Sequence, residues 1–252
     1  MTLSDSPITC IAHRGGSKAV NLIENTLAAI EYSLELGVTT IEIDVWSIQG
    51  KLLAIHDRRL GRILPGDENI MNFSVSELIE LASQIGVQVP TLEEVIGVIG
   101  DRAELNIEIK GPNCAHTVAN VIEAMTVEHQ LPYDQFLVSS FDHHQIHTLM
   151  NINPDIRRGV LVEGVPLDLA QCCEPLKAYF LGSSLDFVRQ GMIDDCHRRG
   201  SKFWVFTVNH IDDMRHLCAM GVDGMFTDYP ERLMNLLEFH QEPDPIAHAL
   251  RS

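Results

Sequence analysis

At 252 residues, with 45% hydrophobic and 21% charged side chains, the chain has apolar material for a full core, and its composition excludes wholesale disorder. Thirty-five Asp and Glu against 18 Lys and Arg leave a formal charge of −17, which excludes non-specific attraction to nucleic acid or to an anionic lipid surface. The N-terminus lacks a basic start, and no apolar run approaches about 18 residues, so the chain reads as cytoplasmic, with no signal peptide and no stable membrane association. Short apolar runs rich in β-branched residues then alternate with stretches of helical period, the pattern of parallel strands covered by helices. Predicted strands fall at 8–13, 40–46, 52–56, 104–109, 136–140, 158–162, 179–183, 203–208 and 223–227. Predicted helices fall at 25–36, 76–84, 91–99, 115–129, 142–151, 167–176, 188–199, 211–220 and 230–240.

This alternation, over about 250 residues, is that of an α/β TIM (β/α)8 barrel formed by residues 1–252 as one unit. Nine strands are one more than the barrel needs. Residues 47–51 are too few to hold a crossover helix, so the strand ending at His56 must follow its predecessor through a hairpin-like link. Residues 57–90 are polar, punctuated by Gly and Pro, and carry one short helix. They read as a small insertion over one end of the barrel. The polar tail after about residue 240 is expected to fray. Six cysteines (Cys10, Cys114, Cys172, Cys173, Cys196 and Cys218) show no zinc spacing and read as reduced thiols.

Reactive groups in such barrels sit where strands end, because the loops there open to solvent while the strands hold the geometry. The first strand runs into His13-Arg14-Gly15-Gly16, the second carries Glu42 and Asp44, the third ends at His56-Asp57, and the fourth carries Glu108 and Lys110. Alternation puts Glu42 and Asp44 on one strand face, and Glu108 and Lys110 likewise. If those faces line the barrel mouth, three carboxylates converge, and such a cluster needs a counter-charge. Oxygen ligands suit Mg²⁺ or Ca²⁺ better than zinc. With Arg14 and Lys110, such an ion would neutralise a phosphate. His13 and His56 could then divide the proton transfers at an attacking and a leaving oxygen. Plainer readings stay open: a turn or cap role for His13, a salt bridge for Glu42 and Asp44, and a direct Glu108–Lys110 pair. Seven other histidines (His116, His129, His143, His144, His147, His197 and His216) fall in helical segments and read as surface residues.

The linked motifs resemble the glycerophosphodiester phosphodiesterases. They are AHRGG at 12–16, Glu24-Asn25-Thr26, IEIDV at 41–45, a turn at Gly50, His56-Asp57, TLEEV at 91–95 and LNIEIK at 105–110. Ser139-Ser140-Phe141, Thr207-Val208-Asn209, Asp223-Gly224 and Thr227-Asp228-Tyr229-Pro230 continue the series in order. The resemblance implies catalytic roles for His13 and His56, metal carboxylates at Glu42, Asp44 and Glu108, and phosphate contacts from Arg14 and Lys110. It further implies Mg²⁺- or Ca²⁺-dependent hydrolysis of glycerophosphocholine or glycerophosphoethanolamine to sn-glycerol 3-phosphate and an alcohol, in the manner of the family's cytoplasmic bacterial branch. Two positions depart from the family pattern. Ile23 replaces the usual Pro before Glu-Asn-Thr, and Arg62 is followed by Ile63 where Arg-Thr is common.

Two other functions compete. One is a related barrel phospholipase D or lyase acting on lysolipids, which needs an apolar entrance; residues 57–90 offer only scattered apolar residues such as Ile70, Met71 and Phe73. The other is a non-catalytic metal-binding barrel, which would not need both histidines. A small, water-soluble phosphodiester is the expected partner, and oligomeric state is not legible.

Overall fold

The structure is a computed structural model that describes residues 8–16 and 18–241; the tail expected to fray lies outside them beyond Gln241. The strands are β1 (Thr9–Ala12), β2 (Thr40–Ile48), β3 (Lys51–Ala54), β4 (Glu104–Ile109), β5 (Phe136–Ser140), β6 (Arg157–Val162), β7 (Phe180–Ser184), β8 (Lys202–Phe206) and β9 (Gly224–Thr227). All but β3 pair in parallel, in the order β1-β2-β4-β5-β6-β7-β8-β9, and β9 returns to β1, so the sheet closes into an eight-stranded barrel. The helices are α1 (Leu27–Glu35), α2 (Val75–Gln84), α3 (Leu92–Ile99), α4 (Ala115–His129), α5 (His143–Ile152), α6 (Cys173–Leu176), α7 (Gln190–Arg198), α8 (Ile211–Met220) and α9 (Pro230–Gln241). The β2–β4 connection carries two of them, α2 and α3, and each of the others lies between consecutive barrel strands or after the last one. This is the TIM (β/α)8 fold.

Strand alternation sorts the side chains into two layers. Ile41, Ile43, Val45, Ile107 and Ile109 are buried in the large cluster shared with the surrounding helices. Each contributes about 1.5–3 kcal/mol by leaving water. Ile11, Leu137, Leu161, Phe180, Trp204 and Phe226 form a separate interior cluster. Phe180 stacks on Trp204 at 4.0 Å. Room for those rings comes from missing side chains: a Cβ on Gly159 would lie 2.2 Å from the Phe180 ring, and one on Gly224 would lie 2.8 Å from Trp204. These rings plug the interior, and the acidic residues of β2 and β4 share the inward face farther along the strands.

The surplus strand is accounted for by β3, which pairs antiparallel with the far end of β2 (Ile48 opposite Lys51) and lies outside the closed ring. Gln49 and Gly50 both have positive φ, as a two-residue hairpin turn requires. On this hairpin rests a second apolar cluster that includes Trp46, Leu53, Leu60, Leu64, Ile70, Leu78 and Val89. Capping boxes begin α2 (Ser74 with Glu77) and α3 (Thr91 with Glu94).

One element is much shorter than expected. The predicted helix over 167–176 is reduced to α6, Cys173–Leu176. Pro175 is tolerated only in a first helical turn, so the helix cannot extend far upstream, and Leu169 has a left-handed φ of 54°. Residues 163–172 consequently run as a loop and turns across the barrel mouth.

Candidate active site

At the end of β1 the chain curls sharply. Arg14, Gly15 and Gly16 have φ of 53°, 89° and 57°, and a Cβ on Gly15 would lie 2.8 Å from Ala29. A left-handed arginine costs on the order of 1 kcal/mol and needs an offset. The Arg14 backbone N–H donates to Glu42 Oε2 at 2.9 Å. Its guanidinium Nη1 donates to Glu24 Oε1 at 2.8 Å, and Nε lies 3.1 Å from Asp44 Oδ2. Thr26 caps α1, so Asn25, also left-handed at φ 58°, stands just before the helix. From there Asn25 Nδ2 donates to Asp44 Oδ2 (3.0 Å), and Asn25 Oδ1 accepts from the Asp44 backbone N–H (3.1 Å).

The carboxylates converge as expected. Glu42, Asp44 and Glu108 each offer an oxygen, and these atoms lie within 4.8 Å of one another. Glu42 and Asp44 are almost fully buried, at 1% and 0% exposure, yet Glu42 Oε1 and Asp44 Oδ1 have no hydrogen-bond partner among the described residues. Orphaned anionic oxygens in a dry site are costly. A hard divalent cation resolves that cost, so the acidic set fits one. Burial, with Asp44 and Glu108 nearby, pushes the Glu42 carboxyl well above the usual range. Burial and Asp44 likewise push Glu108 up to about 7. Lys110 Nζ donates to Glu108 Oε1 (2.8 Å) and stands 3.7 Å from Asp44 Oδ1, so the direct Glu108–Lys110 pair is present beside the triad. Burial disfavours the Lys110 and Arg14 charges, but their acidic neighbours outweigh it and raise both pKa values.

Each histidine is anchored through Nδ1. His13 Nδ1 lies 2.7 Å from Asp228 Oδ1, and His56 Nδ1 lies 2.7 Å from Asp57 Oδ1. Nε2 is thus the nitrogen that each ring keeps for the cavity. Asp228 Oδ2 accepts from Asn209 Nδ2 (2.8 Å) and from Lys18 Nζ. Burial pushes the Asp228 carboxyl up, but His13, Lys18 and Asn209 outweigh it and hold it far below the usual range. His56 is displaced downward, chiefly by burial and further by Arg14 and Lys110, against the pull of Asp44 and Asp57. Trp46 Nε1 donates to the His56 carbonyl at 3.0 Å and fixes its backbone. Arg62 bridges Asp57 (2.8 Å) and Glu24 (2.6 and 2.7 Å), so residues 57–90 contribute a supporting ion pair although the Arg-Thr pattern is lost.

Six of these groups, His13, Arg14, Glu42, His56, Glu108 and Lys110, line one side of a cavity of about 190 Å³, with Asp44 and Asp228 placed behind them. Phe141, Leu161, Glu163, Phe206 and Phe226 line the other. Through Phe141, Leu161 and Glu163 it joins an outer cleft of about 530 Å³ under the 163–166 loop. The apolar part of the entrance therefore comes from Phe141 and Val165, not from 57–90, where only Met71 (44% exposed) is well exposed near the mouth. Asp228 is separated from His13 by 215 residues, and only its place at the end of β9, the strand that closes the barrel onto β1, pairs the two. His143, expected on the surface, is half-buried, with Nε2 3.0 Å from the Leu161 carbonyl, and it lines the outer cleft.

The chain matches the glycerophosphoryl diester phosphodiesterase family over residues 13–232. A glycerophosphodiester phosphodiesterase of Caldanaerobacter subterraneus subsp. tengcongensis is 32% identical over 241 residues, covering 90% of this chain and 96% of that protein. An Oleispira antarctica phosphodiesterase, solved in complex with the product sn-glycerol-3-phosphate, superposes with a TM-score of 0.81 at 27% identity, covering 92% of this chain and 97% of that one. A Galdieria sulphuraria structure shares the fold, with a TM-score of 0.82 at 22% identity. Among the described residues no helix is long and apolar enough to cross a membrane. Barrel, acidic triad and likeness agree: the chain belongs to the glycerophosphodiester phosphodiesterase family and is a phosphodiesterase.

Proposed function

We propose that the chain hydrolyses glycerophosphodiesters such as glycerophosphocholine or glycerophosphoethanolamine to sn-glycerol 3-phosphate and an alcohol, with His13 and His56 as catalytic residues. The observation that carries this reading is that two imidazoles, each tied at Nδ1 to its own carboxylate, face the same cavity as Glu42 and Glu108 of the acidic triad. Glu42, Asp44 and Glu108 would hold Mg²⁺ or Ca²⁺, which when bound supplies positive charge to a phosphoryl oxygen and to the attacking oxygen. Arg14 and Lys110 bring permanent cations to that side of the cavity and position the phosphate. His56, displaced toward its neutral form, takes the proton of the attacking hydroxyl at Nε2. His13, steadied by Asp228, gives a proton from Nε2 to the leaving alcohol oxygen. Water then resolves any cyclic phosphate through the same two groups in reversed roles.

Support for a small phosphodiester substrate is the cavity's volume, and support for a cytoplasmic location is that all six cysteines are free. A charge of −17 supports the absence of a nucleic-acid partner. The test is a substrate panel of glycerophosphocholine, glycerophosphoethanolamine and lysophosphatidylcholine, with glycerol 3-phosphate measured enzymatically. Release of glycerol 3-phosphate from the first two is expected. Turnover confined to the lysolipid would overturn the choice of substrate.

A further inference from the structure

The cavity is chemically divided. Strands β1, β2 and β4, with His56, supply nearly all its charge. On the wall supplied by β5, β6, β8 and β9, Phe141, Leu161, Phe206 and Phe226 line the cavity with two hydroxyl residues, Ser139 and Thr207, and one carboxylate, Glu163. Phe141 and Phe206 meet at an interplanar angle of 85° with centroids 5.6 Å apart, so they form an aromatic corner. Phe141 is 42% exposed, and Lys110 Nζ stands 5.6 Å from its ring centroid, so this ring already takes part in one cation–π contact. Glu163 makes no hydrogen bond or ion pair with any described residue, and it stands where the cavity opens into the outer cleft.

We infer that Glu163, with the Phe141 and Phe206 rings, forms the subsite that selects an alcohol bearing an ammonium group. The inference rests on the phosphodiesterase reading above and adds specificity to it. With the phosphate held by Arg14 and Lys110, one substituent must lie along the aromatic wall. Glycerol hydroxyls find partners at Ser139 and Thr207 deeper along this wall but none at the Phe141 and Phe206 rings by the opening, where a methylated ammonium, weakly hydrated, is attracted both to ring faces and to the Glu163 carboxylate. An acyl chain leaving through the same opening would have to lie against the unpaired Glu163 carboxylate, which is unfavourable. Overall charge points the same way: an ammonium-bearing phosphodiester is a zwitterion and escapes the repulsion that an acidic protein exerts on an anion.

The experiment compares kcat/KM for glycerophosphocholine and for the uncharged-alcohol analogue glycerophosphoglycerol in the wild type, Glu163→Gln, Glu163→Lys and Phe141→Leu. The choline-to-glycerol preference is expected to fall about 3- to 20-fold in Glu163→Gln, through KM for the choline substrate, and further in Glu163→Lys. Phe141→Leu should lower the same preference while keeping the wall apolar. An unchanged preference in both Glu163 variants, with the wild type active, would overturn this inference alone. A wild type that releases glycerol 3-phosphate from neither substrate would overturn the parent reading and this one with it.

Discussion

Replacing Asp228 with Asn preserves shape and removes one charge, and the surrounding donors fix how the new amide must sit. Lys18 Nζ and Asn209 Nδ2 both donate to Oδ2, so the amide must turn its oxygen toward them. Its NH2 group then faces His13 Nδ1, 2.7 Å from the original Oδ1. An amide donor at that position forces Nδ1 to accept, places the ring proton on Nε2 and opposes the imidazolium. Losing one hydrogen bond to a charged group costs about 1.5–3 kcal/mol, a factor of about 10 to 150. Imposing the wrong tautomer on a catalytic histidine can reach about 10⁴. Asp228→Asn should therefore lower kcat about 10²- to 10⁴-fold with KM changed by less than about threefold, because the proposed phosphate contacts, Arg14 and Lys110, are untouched. The assay is steady-state release of glycerol 3-phosphate, with circular dichroism to confirm folding. A kcat within about twofold of wild type would refute a positioning role for Asp228.

Other perturbations test separate parts. His56→Ala should lower kcat on the order of 10²–10⁴-fold without unfolding the protein, and near-normal turnover would remove His56 from the chemistry. Raised carboxyl pKa values mean that the metal-free folded state holds protons that the unfolded chain has released, so its stability falls as pH rises from about 4.5 to about 7. The Tm gain on adding Mg²⁺ or Ca²⁺ should grow across that window and vanish in Glu42→Gln; a pH-independent gain, or one retained in the variant, contradicts this. Gly159→Ala should lower Tm by roughly 3–12 °C, since its Cβ would lie 2.2 Å from a Phe180 ring already stacked on Trp204. An unchanged Tm would contradict the interior packing.

Strand periodicity locates every barrel strand because residues buried on both faces make unbroken apolar runs, and interrupting carboxylates stand out against them. Glu42 and Asp44 are legible for that reason, as is His56 beside Asp57. The partner of His13 is not, because Asp228 reaches it only when β9 closes on β1. The helix expected over 167–176 is largely missing because Leu167, Leu169, Ala170 and Cys173 keep a helical apolar rhythm that Pro175 prevents from forming upstream. Residues 57–90 look merely polar in sequence, yet Leu60, Leu64, Ile70 and Leu78 join one cluster, too widely separated along the chain to trace a single strand or helix. The aromatic and acidic wall of Phe141, Glu163 and Phe206 draws on three separate strand ends and has no local signal.

The decisive measurement is an anomalous difference map from crystals soaked in Mn²⁺, a hard cation that can report on a Mg²⁺ or Ca²⁺ site. One strong peak is expected within about 2.0–2.6 Å of oxygens from Glu42, Asp44 and Glu108. A peak elsewhere, or none there while Mn²⁺ supports turnover in solution, would contradict the proposed metal centre.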